Sequence, residues 1–281
     1  MFTNDDISRY YDLSEVHYRK IWDLDHCRSL HYGYWDESTR NFHEALWNIN
    51  KVLAELAGLR EGERVLDAGC GVGGSAIWLA KEKKCQVVGI SLNSNQVKKA
   101  RRYASALALE SRLVFEQKDY LNTDYPGNSF DVVWAIESVC YANNKTMFLK
   151  EASRLLKPKG ILLVADFFKA DQLKPDQASL VRRWANGWAV NDFSTAEAFN
   201  IALWENGFEQ IQNLDVTDAI RPSAKRLYRY YLIGGLVARA YGLFHPTATL
   251  LGKANVHNAW LQYKTLKKGL WTYRIVKAIA P

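Results

Sequence analysis

Residues 65–74 read V-L-D-A-G-C-G-V-G-G, an apolar run that ends in an acid and passes straight into glycines at 69, 71 and 73. No other stretch restricts the fold as strongly. A short apolar run bounded by glycines reads as a buried strand. Glycine has no Cβ and tolerates φ > 0, so the turn that follows can pass close to another group. Helical sequence resumes at residue 75. A strand, a glycine turn and a helix N-terminus in succession form the cofactor cradle of doubly wound α/β sheets. The plainer use of such glycines is tight helix–strand packing. Gly69, Gly71 and Gly74 satisfy G-x-G-x-x-G as well as D-x-G-x-G-x-G, so the spacing alone leaves the cofactor open.

The rest of the chain alternates strands and helices. Apolar residues recur at a helical period over 41–58. Strands are expected at 65–68, 86–90, 113–118, 130–136 and 161–165, and helices at 75–83, 94–109 and 145–156, with Pro158-Lys159-Gly160 as a turn. Beyond residue 166, helices are expected at 180–188, at 195–206 with Ser194 as N-cap and Gly207 as stop, and at 224–241 before a loop at His245-Pro246. Strands at 208–216 and 270–279 complete the set. This order predicts an α/β fold with a doubly wound, mostly parallel, seven-stranded sheet. Residues 1–60 read as a helical arm, 61–168 as the cofactor-binding core, and 169–281 as lid helices with the last strands. Ligands bind outside the carboxyl ends of such strands, where Asp67, Ser91, Asp119 and Glu137 fall.

A length of 281 residues suits one elaborated α/β domain. The net charge of +7 comes from scattered basic residues, with clusters at 81–84, 98–102 and 264–268. These read as solvated faces rather than a nucleic-acid groove, and peripheral contact with anionic lipid stays open. Cys27, Cys70, Cys85 and Cys140 form no C-x-x-C pair and no metal-ligand spacing. They are expected to be reduced thiols of a cytoplasmic protein that holds no metal. The polar, acidic N-terminus does not resemble a signal peptide, and the apolar stretch 231–244 is too short to span a membrane and contains Arg239. Ten Trp, fifteen Tyr and eleven Phe concentrate at 10–35 and 184–271. Such aromatics wall an apolar or cation-stabilising pocket, or simply pack helices.

Four segments together resemble the class I S-adenosylmethionine-dependent methyltransferases. They are D-A-G-C-G-V-G-G at 67–74, K-D-Y at 118–120, W-A-I-E-S at 134–138 and L-L-K-P-K-G at 155–160. Y-Y-D-L at 10–13, H-Y-G-Y-W at 31–35 and A-I-E-S-V-C-Y at 135–141 resemble the small-molecule branch that holds sterol C-24, tocopherol and cyclopropane-fatty-acid methyltransferases. The resemblance covers residues 10–168 well and the rest loosely. It implies S-adenosyl-L-methionine as cofactor, an arm folded over it and a lipophilic acceptor. It places Tyr32 and Gly33 of the arm on the cofactor, with Leu92 and Gln96 after the second strand. Many class I enzymes carry an acid after that strand; here Ser91 stands there, which leaves Ser91 or Asn93 to bond the ribose.

On this reading Gly69 and Gly71 admit the methionine and ribose parts, and Asp67 supports the loop or the cofactor's amino group. Asp119 accepts from the adenine amino group, and Tyr120 and Ile136 sandwich the ring. Methyl transfer is an in-line displacement that depends on alignment and dryness. Glu137 is the expected proton acceptor when an alkene is methylated; His31, with His26 behind it, is the expected base for a hydroxyl. Tyr11, Trp35, Cys140, Tyr141 and Trp188 are expected to line the acceptor pocket. C-methylation of an isoprenoid-type small molecule ranks ahead of O-methylation. N- or O-methylation of an aromatic or alkaloid-like metabolite is the alternative, and a catalytically silent cofactor-binding scaffold is the non-enzyme one. A nucleic-acid methyltransferase would show an N-P-P-Y run or a Pro-Cys nucleophile, and neither occurs. A NAD-dependent oxidoreductase would need an acid where Ser91 stands. A small-molecule acceptor is the expected partner, and the expected assembly is a monomer or homodimer.

Overall fold

The computed structural model describes the backbone of residues 1–244 and 250–281, and side chains other than those of 16–18, 20–21 and 233–256. Three helices come first: α1 (Asn4–Trp22), α2 (Leu24–Cys27) and α3 (Phe42–Ala57). The core alternates β1 (Arg64–Ala68), α4 (Gly74–Glu82), β2 (Gln86–Ser91), α5 (Ser94–Ser105), β3 (Leu113–Gln117) and β4 (Phe130–Ile136). A 3-10 turn (Val139–Tyr141) leads to α6 (Lys145–Leu155) and β5 (Leu156–Lys169). There follow α7 (Pro175–Gly187), α8 (Ala196–Glu205), β6 (Glu209–Asp215), α9 (Thr217–Phe244), α10 (Leu250–Lys267) and β7 (Trp271–Ile279). The seven strands form one sheet in the order β3-β2-β1-β4-β5-β7-β6. Strands β1 to β5 pair in parallel, and β7 runs antiparallel to both its neighbours.

Side chains alternate across each strand, so the sheet buries apolar residues on both faces. On β4, Val132, Trp134 and Ile136 face α3, α4 and α10, while Val133 and Ala135 face α6 and α8. Polar caps start the crossover helices: Asn93 accepts the Gln96 N–H at 2.9 Å and Asn144 the Met147 N–H at 3.1 Å.

Three expectations change. Pro158-Lys159-Gly160 lies inside β5 as an irregularity, because Phe130 pairs with Leu156 while Val132 already pairs with Ile161. Thr195, not Ser194, caps α8, its hydroxyl accepting the Ala198 N–H at 3.1 Å. Helix α9 starts at Thr217 and carries Pro222 within it. The expected loop at His245-Pro246 lies outside the described residues. Among the described residues no helix is long and apolar enough to cross a membrane.

Candidate active site

The sheet order reverses between β1 and β4, and a cavity opens at the C-terminal ends of β1, β2 and β4. It encloses about 1650 Å³, counting the space at its open mouth. The β1–α4 loop forms one wall, and α1 with the arm up to Tyr32 forms another. Leu227, Tyr230 and Tyr231 of α9 and Ala259 of α10 close a third.

The glycines of the loop serve two purposes. Gly69 sits at φ +94°, and a Cβ there would lie 2.3 Å from the Ser138 Cβ, so the protein itself demands it. Gly71 sits at φ +54° with only Leu30 Cδ1 in reach, 3.5 Å from where its Cβ would be. The space in front of Gly71 belongs to the cavity. Beneath the loop Asp67 is 3% exposed. It accepts the Ala76 N–H, and burial pushes its carboxyl up to about 7. Its Oδ2 is buried with no partner among the described residues. Buried polar atoms are normally satisfied, so this oxygen asks for a donor from a ligand.

On the β2 side the expected ribose ligands already have protein partners. Ser91 Oγ donates to Gln96 Oε1 at 2.8 Å. Asn93 Nδ2 donates to Ser8 O and to Asp12 Oδ1, both at 2.9 Å, which fastens α1 across the cleft. Lys99 pairs with Glu15 further along the same helix.

The Tyr32 peptide is the hub of the acid–base groups. Its N–H donates to Glu137 Oε1 at 2.7 Å, and its carbonyl lies 2.9 Å from His31 Nδ1. A carbonyl only accepts, so Nδ1 carries the hydrogen and Nε2 keeps its lone pair. Nε2 is buried without a partner among the described residues, and burial lowers the His31 pKa to about 4. Glu137 stands just past β4 at φ +48°, a left-handed conformation that is costly for a non-glycine residue. Burial drives its carboxyl well above the usual carboxylate range. The Tyr32 hydroxyl donates to Gln262 of α10 at 3.0 Å, and Gln262 in turn donates to Ala224 O of α9 at 2.9 Å.

The 3-10 turn is clamped from below. Asp166, at the end of β5, accepts the Cys140 N–H at 2.8 Å. Lys145 Nζ donates to Cys140 O at 2.9 Å and Ala142 O at 2.6 Å. This holds Cys140 and Tyr141 in the cavity wall, where Tyr11 meets Tyr141 hydroxyl to hydroxyl at 3.1 Å.

A family model described as a methyltransferase domain matches residues 59–220. The chain is 33% identical over 221 residues to the 27-O-demethylrifamycin SV methyltransferase of Amycolatopsis mediterranei, covering 79% of this chain and 80% of that one. It is 31% identical to the sterol 24-C-methyltransferase of Aspergillus fumigatus over 80% of this chain and 58% of that protein. The chain belongs to the S-adenosylmethionine-dependent methyltransferases. Among solved structures, the (4+2)-cyclase SpnF superposes with a TM-score of 0.80 at 27% identity, covering 99% of this chain and 96% of that one.

The residues of this methyltransferase fit its cofactor. S-Adenosylmethionine supplies an electrophilic methyl on a sulfonium, flanked by an amino acid and an adenosine. The unpartnered Asp67 Oδ2 suits the ammonium of an amino acid, and the open face of Gly71 leaves room for its chain. Tyr120 and Ile136 both line the cavity, and the Tyr120 hydroxyl is anchored on Ser138 O at 2.8 Å. The structure brings into the lining Glu137, His31, Tyr32, Asp67, Gly69 and Gly71, together with Ser91, Leu92, Asn93 and Gln96. Tyr11, Cys140, Tyr141 and Trp188 also line it.

Four expected residues stand outside that lining: His26, Gly33, Trp35 and Asp119. Gly33 packs on α3, where a Cβ would lie 2.7 Å from the Ala45 Cβ. Trp35 turns its Nε1 to Ser223 Oγ at 3.0 Å. Asp119 accepts the Leu121 N–H at 2.8 Å and the Asn4 side chain at 2.7 Å, so α1 already occupies the carboxylate. Sequence reasoning missed Tyr10, Trp22, Ser29, Leu30, Phe167 and Tyr230 in the wall. The aromatic density at 10–35 and 184–271 signals Tyr10, Trp22 and Tyr230, while nothing in the sequence singles out Ser29, Leu30 or Phe167.

Proposed function

We propose that this methyltransferase places its methyl group on carbon of a lipophilic small molecule with an isoprenoid-type skeleton. The observation that carries the reading is the Glu137 carboxylic acid, set in a cavity walled by aromatic rings such as Tyr10, Tyr11, Tyr141, Phe167 and Trp188. Methylating an alkene breaks the sulfonium's bond to the methyl carbon, forms a carbon–carbon bond and leaves a carbocation. Aromatic faces stabilise a cation, and the loss of its proton to Glu137 completes the product. Positive charge in the cavity favours the ionised form of Glu137 and counters the effect of its burial. Relatives named for methylation of sterol carbon 24 support the reading.

A second reading rests on His31. Its free Nε2, neutral at physiological pH, suits removal of a proton from a hydroxyl, and one relative is named for O-methylation. The test is transfer of labelled methyl from S-adenosylmethionine to separate pools of isoprenoid alkenes, terpene alcohols and polyketide phenols, with the labelled position located by mass spectrometry. Label on carbon is expected, with Glu137→Gln lowering turnover about 100-fold or more and leaving S-adenosylhomocysteine affinity near wild type. Label on oxygen, removed by His31→Ala, would establish the second reading instead. No labelled product from any pool refutes methyl transfer to these classes.

A further inference from the structure

Tyr273 does not line the cavity, and nothing in the sequence marks it. It lies on β7, opposite Phe167 of β5, and is fully buried. Its ring is parallel to that of Tyr32, with centroids 6.4 Å apart and 11° between the planes, and meets Phe167 edge-on at 5.1 Å. Its hydroxyl lies 3.0 Å from Glu137 Oε1 and 3.4 Å from Ala165 O. The shorter contact is the better hydrogen bond. The Tyr32 N–H donates to the same Oε1. One carboxyl oxygen thus receives two donors, one from the arm and one from β7. Oε2 has no hydrogen-bond partner among the described residues, and Glu137 is part of the cavity wall.

We propose that Tyr273 is the positioning residue of the methyl-transfer site: from behind the wall it holds Oε1 inward and leaves Oε2 for the acceptor. This rests on Glu137 as the proton acceptor. A carboxyl with two equivalent free oxygens would rotate, and a proton acceptor placed within hydrogen-bond reach depends on that rotation being stopped. The antiparallel last strand therefore contributes directly to the site. The arm completes the arrangement, because the Tyr32 ring is anchored on Gln262 of α10.

The groups that face Glu137 are Asp166 of β5, Cys140 of the 3-10 turn, Tyr11 of α1, Tyr32 of the arm and Tyr273 of β7. Lys145 of α6 stands beside Asp166 and Cys140. Burial holds the Glu137 proton on most strongly and the Asp166 charge adds to it, while the Tyr32 N–H and the Tyr273 hydroxyl favour its release.

The test is an isotope-edited infrared titration of the full chain labelled with carboxyl-13C glutamate, the Glu137 band being assigned by its loss in Glu137→Gln. Tyr273→Phe keeps the ring and its stacking and removes only the donor. Below the midpoint, its ionised fraction of Glu137 is expected to fall about tenfold, the size of one hydrogen bond to a charged group. Incorporating 3-fluorotyrosine at 273, a stronger donor, is expected to shift the midpoint the opposite way. Opposite shifts cannot come from general damage to the fold. A midpoint unchanged in both proteins, or moved the same way in both, overturns the inference. S-Adenosylhomocysteine titrated by calorimetry is expected to bind both proteins like wild type; loss of binding in Tyr273→Phe would also overturn it, by showing a general role in the fold. Failure of labelled methyl transfer is a separate result, and overturns the function on which the inference rests.

Discussion

Gly69 and Gly71 are two residues apart in one motif, yet the structure gives them different work, and alanine at each separates the two. At Gly69 a side chain costs about 1–2 kcal/mol for the left-handed backbone. It also sets a Cβ 2.3 Å from Ser138 Cβ and 2.9 Å from its Oγ. Ser138 cannot easily yield, because its hydroxyl donates to Ala68 O at 2.6 Å and its carbonyl accepts from Tyr120. Overpacking of this kind adds about 1–3 kcal/mol. Gly69→Ala should therefore lose about 2–5 kcal/mol, and its Tm should fall by about 5–15 °C. At Gly71 only the backbone cost applies, about 1–2 kcal/mol, because the nearest atom would be 3.5 Å away. Its methyl would instead project into the cavity. Gly71→Ala should keep most of its stability and bind S-adenosylhomocysteine about tenfold or more weakly, a loss of about 1.4 kcal/mol. The assays are calorimetric melting without ligand and titration with S-adenosylhomocysteine. Ser138→Gly should rescue part of the Gly69→Ala loss, with a coupling of about 1–3 kcal/mol, and none of the Gly71→Ala loss. Additive losses for Gly69→Ala and Ser138→Gly would refute the contact argument. Wild-type affinity in Gly71→Ala would refute its place against the cofactor.

Two further expectations concern pH. Asp67 holds its proton up to about 7 in the folded state against 3.8 unfolded, so the stability it lends is full below pH 3.8 and is lost as pH rises through 7. S-Adenosylhomocysteine should accordingly bind wild type more tightly at pH 8 than at pH 6 as Oδ2 becomes a charged acceptor, and this rise should vanish in Asp67→Asn; equal pH dependence in both proteins would exclude Asp67 as the ammonium site. His31 is depressed to about 4 from 6.5, so its contribution is present above pH 6.5 and is lost as pH falls through 4. Between pH 7 and 4.5 wild type should lose about 2 kcal/mol more unfolding free energy than His31→Gln in urea, and parallel curves would show that His31 is not held neutral by burial.

The sequence by itself determined the sheet and the cradle, because both are written in local pattern. Apolar runs of strand length, helical spacing between them and the glycine turn after Asp67 are all read within about ten residues. It also marked Asp67, His31 and Glu137, whose chemistry is visible in a one-letter code. Tertiary structure alone decided what those residues do. Gly33 is a glycine because α3 presses on it, and Asp119 is engaged because α1 returns to it across 115 positions. Glu137 gains its geometry from Tyr273, 136 residues away, and from an amide of the arm, 105 residues away. Hydrogen-bond direction and burial depend on which distant segments meet, and local periodicity carries no record of that. The glycine motif identifies the donor's cradle, while the Glu137 carboxyl in the cavity wall is bonded by a strand more than a hundred residues away.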